Sequence, residues 1–177
     1  VGGLTVANAI HQLLPGENLL YFGDTVHLPY GDKSRETIAG YSARITEYLL
    51  EQSCKAIVIA CNTASANAYD EVVRTAAGKA HVIDVINPVV EFILQQTSYK
   101  HIGVIGTKGT INSGTYVSKI IAGNPHLNVS SLATPMLVPM IEEGFIFDDI
   151  SNAIIRTYLS KPEISSIEAL ILGCTHY

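Results

Sequence analysis

Residues 56–66, Ala56-Ile57-Val58-Ile59-Ala60-Cys61-Asn62-Thr63-Ala64-Ser65-Ala66, form an apolar run that stops at a cysteine and continues with small, mostly polar residues. An apolar run without alternation is typical of a strand buried on both faces, and the small residues after it favour a tight turn into a helix. We therefore expect Cys61 at the carboxyl end of a central parallel strand, which is the edge of an open α/β sheet where ligands bind.

The end of the chain repeats this arrangement. Residues 169–172 are apolar, and Cys174 and Thr175 follow them after one glycine. Two thiols presented in the same way predict two related half-sites that face each other. A helix amino terminus just after each thiol is expected to lower its pKa. Cys54 follows a helical pattern without chemical partners, so we interpret it as a small core residue.

The composition is that of a globular protein. The chain has 177 residues, of which 47% are hydrophobic, enough for one or two small cores. A net charge of −5 and the absence of a lysine or arginine cluster argue against a nucleic-acid partner. The three cysteines form no CxxC pair, and neither a signal peptide nor a membrane-spanning run is recognisable. These features predict a soluble cytoplasmic protein without membrane partners.

Both ends of the sequence resemble cut ends. The chain opens on Val1-Gly2-Gly3 without a start methionine or a preceding strand, and it closes at Tyr177 directly after an apolar strand. We therefore expect it to be part of a longer chain.

Strand and helix patterns alternate along the sequence, which predicts an α/β fold with mostly parallel sheets. We expect two similar domains, residues 1–86 and 87–177, both incomplete, with the active site in the cleft between them. The predicted strands are residues 19–22, 56–60, 82–86, 101–105, 127–132 and 169–172. The predicted helices lie within residues 2–14, 35–51, 67–77, 87–96, 115–121 and 148–159.

Two polar loops follow predicted strands. Residues 23–34 contain two glycines, a proline and two acids, and are either part of a site or a solvated connection. Residues 106–114 offer backbone N–H groups and hydroxyls before a helix. They match neither the P-loop nor GxGxxG, so a carboxylate contact, a phosphate contact and a plain turn all stay open.

Five motifs together resemble bacterial glutamate racemases, and the match spans the whole chain. They are GGLTV (residues 2–6), YFGDT (21–25) with PYG (29–31), ACNTASA (60–66), GVIGT (103–107) with NSG (112–114), and GCTHY (173–177).

The resemblance implies a cofactor-independent interconversion of L- and D-glutamate that supplies D-glutamate for peptidoglycan and so for cell-wall biogenesis and cell shape. It assigns Cys61 and Cys174 as acid/base thiols on opposite faces of the substrate Cα, and His176 and Glu142 as groups that assist the second thiol. Glu143 adjoins Glu142 and leaves that assignment open. The substrate-contacting positions it implies are Tyr30, Gly31, Asn62, Thr63, Thr175 and His176.

The proposed chemistry agrees with the residue types. Inversion of a stereocentre without a cofactor needs one group to remove the Cα proton and another to return a proton from the opposite face. A thiol, with a pKa of about 8.5, can be tuned towards neutrality for either task. The family's Asp-Ser pair would precede Gly2, and its closing helices would follow Tyr177. We therefore expect the fragment itself to be inactive or poorly folded.

The residues also allow other functions. A metal site at Cys174 and His176 lacks further ligands at suitable spacing. A Cys-His hydrolase using His176 or His27 would leave the second strand-end cysteine unexplained. Aspartate racemase on the same scaffold and a non-catalytic amino-acid-binding module stay open. We expect a small-molecule substrate and no cofactor or metal. A homodimer is a candidate assembly, and the sequence leaves the oligomeric state open.

Overall fold

Helices and parallel strands alternate through residues 2–147 and 149–177, the part of the chain that the computed structural model describes. The strands are β1 (Ala56–Ile59), β2 (His81–Asp84), β3 (His101–Gly106), β4 (Asn128–Ala133) and β5 (Ala169–Gly173). The α-helices are α1 (Gly3–Leu13), α2 (Arg35–Glu51), α3 (Asn62–Ala76), α4 (Asn87–Gln95), α5 (Lys108–Asn112), α6 (Thr115–Gly123), α7 (Leu137–Glu142) and α8 (Asp149–Leu159). Short 3₁₀ turns lie at Thr25–His27, Tyr30–Asp32 and Pro162–Ile164.

The first sheet pairs β1 with β2 in parallel, with Ile59 opposite Asp84 at the carboxyl end. Helices α2 and α3 cover one face of this sheet. Ile38 of α2 and Val72 of α3 pack against Ile57 and Ile59 in a continuous core. Ser34 caps α2 because its Oγ accepts a hydrogen bond from the Thr37 N–H at 3.2 Å. This core fixes the strand end from which Cys61 projects.

The second sheet has the order β4-β3-β5, and both of its pairings are parallel. Gly106 at the end of β3 pairs with Ala133 and with Gly173, so the three carboxyl ends meet at one edge. Val90 of α4 and Ile120 of α6 pack on Val104 and its neighbours in the largest core cluster. Cys174 therefore follows an edge strand whose end lies beside the β3–α5 loop.

The predicted fold class, α/β with parallel sheets, is confirmed. The division at residues 86 and 87 stays a prediction, and it falls between β2 and α4. Ile86 is fully buried in the core of the second sheet. The last residue assigned to the first domain is thus packed with the second.

Two strand predictions are wrong. Residues 19–22 have no regular structure, and their side chains are 44–49% exposed. A strand needs a neighbouring backbone ladder, and within the described residues the first sheet contains β1 and β2 alone. Among the described residues, strand β1 pairs with β2 alone and is not buried on both faces. Its residues alternate between exposed and buried, and Val58 is 36% exposed, because α2 and α3 cover only one face.

The helix predictions differ in their starts and their buried faces. Helix α3 begins at Asn62 rather than at residue 67, so Cys61 is its N-cap and no separate turn intervenes. In α1 the apolar residues Leu4 and Leu13 are exposed. Asp148, the predicted first residue of the last helix, lies outside the described residues. In α8 the buried side chain is that of Ser151, whereas the apolar residues Ile150 and Ala153 are exposed.

None of the helices formed by residues 2–147 and 149–177 combines the length and the apolar character that a bilayer span requires.

Candidate functional site

The two strand-end thiols lie at the carboxyl edges of different sheets. Cys61 follows β1 and caps α3, and Cys174 directly follows β5. Both are free and half-buried. A negative charge on Cys61 contributes to raising the pKa of Cys174, so the two sulfur atoms are within electrostatic reach of each other. The fold thus brings together two thiols that are far apart in the sequence.

Cys174 is joined to a histidine and a carboxylate. Its Sγ lies 3.5 Å from His176 Nδ1, and His176 Nε2 lies 2.8 Å from Glu142 Oε1. Helix α7 ends at Glu142 and so presents this carboxylate to the ring, whereas Glu143 lies beyond the helix end. A neutral His176 that donates its Nε2–H to Glu142 turns the Nδ1 lone pair towards the thiol.

The pKa values of both thiols are shifted upward. Burial raises the pKa of Cys61, although the backbone N–H groups of Thr63 and Ala64 act in the opposite direction. Burial also raises the pKa of Cys174, to about 11, although a hydrogen bond from the backbone N–H of His176 acts to lower it. The prediction of lowered pKa values is therefore wrong. The start of α3 does supply donors to Cys61, but loss of solvent outweighs them, and Cys174 is followed by a turn rather than a helix.

Three threonine hydroxyls meet between the starts of α3 and α5. Thr63 Oγ1 lies 2.8 Å from Thr107 Oγ1 and 3.3 Å from Thr110 Oγ1, and the latter two are 3.1 Å apart. Thr107 is also the N-cap of α5, since its hydroxyl accepts the Thr110 N–H. Thr63 is a predicted site residue, whereas Thr107 and Thr110 were not predicted. The available signal was a capping threonine directly after a buried strand.

Tyr30 is held by the carboxylate of Asp24, which was not a predicted site residue. The Tyr30 hydroxyl donates to Asp24 Oδ2, and His27 Nδ1 lies 2.7 Å from Asp24 Oδ1. The His27 ring stacks on Tyr41 with centroids 3.9 Å apart. Burial and the hydrogen bond to Asp24 raise the pKa of Tyr30. Of the two acids in the loop of residues 23–34, Asp24 was the signal for this arrangement. The arrangement keeps Tyr30 in its protonated form.

The remaining predicted residues occupy separate positions around the thiols. Gly31 packs so closely on Thr107 that an added Cβ would lie 2.8 Å from the threonine Cβ. Thr175 is in similarly close contact with Gly2 at the start of α1. Asn62 is buried, and its Oδ1 accepts the Tyr116 hydroxyl at 2.7 Å.

Metal-ligand types do not cluster in the described residues. No group of three or more histidine, cysteine, aspartate or glutamate side chains is arranged there to hold an ion. The arrangement instead offers two thiols, one of them backed by a histidine and a carboxylate, beside hydroxyl donors. Such groups can exchange protons with a bound molecule and hold its carboxylates.

Comparison with known proteins gives consistent matches. The chain is 45% identical to a glutamate racemase of Chlorobaculum parvum and 41% identical to one of Neisseria meningitidis, over all 177 residues. It spans 65% of the length of these relatives. The crystal structure of glutamate racemase from Francisella tularensis in complex with D-glutamate superposes with a TM-score of 0.94 at 44% identity. That match covers all of this chain and 66% of the other.

A family model described as Asp/Glu/Hydantoin racemase matches residues 3–177. With a match over nearly the whole sequence, and with its parallel sheets and paired strand-end cysteines in place, the chain belongs to the Asp/Glu/hydantoin racemase family.

Proposed function

We propose that the protein interconverts L- and D-glutamate by proton transfer at Cα, without a cofactor. The observation that carries the proposal is the position of Cys61 and Cys174 at the ends of strands in two sheets, within electrostatic reach of each other. Relatives 41–45% identical to this chain are named glutamate racemase, which supports glutamate as the substrate.

The reaction needs one thiolate and one thiol. The thiolate removes the Cα proton on its face of the substrate, and the thiol on the other face donates its proton to the resulting carbanion. The two cysteines thereby exchange protonation states, and the reverse reaction begins from the other one. His176 assists Cys174 as an acceptor for the thiol proton, and Glu142 stabilises the imidazolium that forms. The raised pKa of Cys174 makes this assistance necessary at neutral pH.

The substrate carboxylates require hydrogen-bond donors. The threonine cluster of Thr63, Thr107 and Thr110 supplies hydroxyls that can turn towards an anion. We assign Tyr30, Gly31, Asn62 and Thr175 to the same pocket, together with His176, and we place the pocket between the two proposed domains. D-glutamate made there would enter peptidoglycan, the role that the family resemblance implies.

Deuterium exchange tests the proposal. We would incubate L-glutamate in D₂O with this chain, and with a chimera that adds the flanking segments of the Francisella tularensis enzyme. Loss of the Cα proton signal by NMR, together with loss of optical rotation, is the expected result for the chimera. Aspartate serves as the matched substrate control.

Two other results of the deuterium-exchange experiment would point to a different function. Exchange with aspartate but not glutamate would transfer the assignment to aspartate racemisation. Glutamate binding without deuterium incorporation by the chimera would make the protein a non-catalytic amino-acid-binding module. Either result would overturn the proposed function.

A further inference from the structure

Tyr116 of α6 contacts the neighbours of both proposed thiols, and the proposed chemistry gives it no task. It is 3% exposed and belongs to the core of the second sheet. Its ring lies against Gly173, the residue before Cys174, because a Cβ added to Gly173 would lie 3.4 Å from Tyr116 Cε2. Its hydroxyl donates a hydrogen bond to Oδ1 of Asn62, the residue after Cys61, at 2.7 Å. One buried side chain therefore connects the two strand ends from which the thiols project.

The hydrogen bond from Tyr116 determines which way the Asn62 amide faces. The terminal torsion of asparagine has two nearly equivalent settings, which exchange the positions of Oδ1 and Nδ2. Burial raises the pKa of Tyr116, so its phenol keeps its proton. With the amide reversed, Nδ2 would face the phenol, and the phenol proton would lose its acceptor inside the core, at a cost in free energy. The setting with Oδ1 towards Tyr116 is therefore favoured.

The amide nitrogen of Asn62 is still able to bind a ligand. Among the described residues, Nδ2 of Asn62 donates to no protein acceptor, whereas its Oδ1 is occupied. Every side-chain nitrogen or oxygen that is fully buried in this part of the chain has a hydrogen-bond partner, so Nδ2 is not fully buried. Asn62 is the first residue of α3, at the edge of the sheet where the proposed pocket lies. The amide thus keeps a donor for a ligand at the start of α3.

We propose that Tyr116 is a positioning residue for glutamate: it holds the Asn62 amide with Nδ2 towards the substrate, and Nδ2 donates to a substrate carboxylate. This inference rests on the proposed function, in which Asn62 lines the substrate pocket. Nδ2 can donate to a carboxylate, whereas Oδ1 in the same place would repel it. The phenol of Tyr116 therefore acts through Asn62 and does not touch the substrate.

Removal of the Tyr116 hydroxyl should reverse the amide. In Tyr116→Phe, Oδ1 of Asn62 would face an apolar ring without a donor. The reversed setting places an N–H group over the ring and Oδ1 towards the solvated site, so it becomes the favoured one. Glutamate must then turn the amide back, and its apparent Kd rises by the reciprocal of the fraction that is competent to bind.

Calorimetric titration of the chimera with D-glutamate, together with racemisation kinetics, tests the role of Tyr116. We expect Tyr116→Phe to raise Kd and KM about fivefold, which corresponds to a competent fraction of about one fifth. The kcat should stay within about twofold, because the lost contact is made equally in the ground state and the transition state. A purely structural role would lower the folded fraction and so the kcat per total enzyme, and would leave Kd and KM unchanged.

Two further variants show whether Tyr116 acts through Asn62. Asn62→Ala alone should raise Kd at least as much as Tyr116→Phe. In the Asn62→Ala background, Tyr116→Phe should change Kd by less than about twofold, because no amide is left to orient. Tyr99→Phe is the matched control, since Tyr99 packs against the same core but precedes β3, at the opposite edge of the sheet. It should leave Kd and KM unchanged.

The outcomes separate this inference from the proposed function. If the unsubstituted chimera binds glutamate and Tyr116→Phe has the same Kd, the positioning role is overturned and the proposed function stands. An unchanged Kd in Asn62→Ala, additive effects in the double variant, or an equal rise in Tyr99→Phe would also overturn the positioning role alone. If the unsubstituted chimera does not bind glutamate, the proposed function is overturned and the positioning role with it.

Discussion

His176 lies between a thiol and a carboxylate, and these contacts constrain the proton chemistry of Cys174. Its Nδ1 is 3.5 Å from Cys174 Sγ, and its Nε2 is 2.8 Å from Glu142 Oε1. Burial raises the pKa of Cys174 to about 11, which opposes formation of a thiolate. His176 Nδ1, next to the thiol, can accept the thiol proton and so offsets the cost of forming the buried thiolate. Cys61 has no such partner among the described residues and depends on the N–H groups at the start of α3.

Replacement of either thiol by a hydroxyl should abolish most of the activity. Serine keeps nearly the same size, but its hydroxyl is far less acidic than a thiol and cannot act as the base. In the chimera we expect Cys61→Ser and Cys174→Ser each to lower kcat by about 10²–10⁴-fold, the contribution of one acid/base group. Circular dichroism of glutamate follows the rate. Cys54→Ser is the matched control, and an equal loss in that variant would contradict the assignment.

Glu142 contacts His176, whereas the adjacent Glu143 lies beyond the end of α7. Substitution of Glu143 is therefore a control for substitution of Glu142. Glu142→Gln removes the charge that stabilises a protonated His176, and a hydrogen bond to a charged group contributes about 1.5–3 kcal/mol. We expect kcat to fall about tenfold or more, with little change in KM, because Glu142 acts through the ring rather than on the substrate. Glu143→Gln should leave both constants unchanged. Equal kinetic effects of the two substitutions would remove Glu142 from the mechanism.

At the scale of elements, local signals in the sequence predicted most of the helices and strands. Ser34 at the start of α2 and the early proline of α4 are such signals, because capping and proline geometry act within one turn. Burial was predicted less well, because it depends on which element packs against a face. The apolar run of β1 does not reveal that α2 and α3 cover only one side of it.

The candidate site was predictable only in part for the same reason. The cysteines and His176 are found from motifs that are contiguous in sequence. Thr107 and Asp24 acquire their roles from contacts with Thr63 and Tyr30, and neither contact is visible until the chain is folded.

The packing of the Tyr30–Asp32 turn against α5 can be tested with one methyl group. In Gly31→Ala the new Cβ would lie 2.8 Å from Thr107 Cβ, so the turn or the helix start must move. Such overpacking costs about 1–3 kcal/mol, and we expect the free energy of unfolding to fall by that amount. Urea denaturation measures it.

Gly40→Ala is the control for that substitution. Gly40 lies within α2, and nothing is within 4 Å of its added Cβ. Alanine there should raise the free energy of unfolding by about 0.5–1 kcal/mol, since it favours the helix. If the free energy of unfolding changed in the same direction in Gly31→Ala and Gly40→Ala, the close approach of Gly31 and Thr107 would be contradicted.

For the molecule as a whole, the buried thiols couple stability to alkaline pH. In the unfolded chain a cysteine has a pKa of about 8.5, whereas Cys174 in the folded chain has a pKa of about 11. Between these values the unfolded state binds fewer protons, so the contribution of this thiol to the free energy of unfolding should be constant below about pH 8 and fall as pH rises from about 9 towards 11. Cys61 adds to this fall, because burial raises its pKa too. Urea denaturation at half-unit steps measures the slope, which should be shallower in Cys174→Ser than in the Cys54→Ser control. A free energy of unfolding that rises with pH in this window would mean that the folded site stabilises a thiolate.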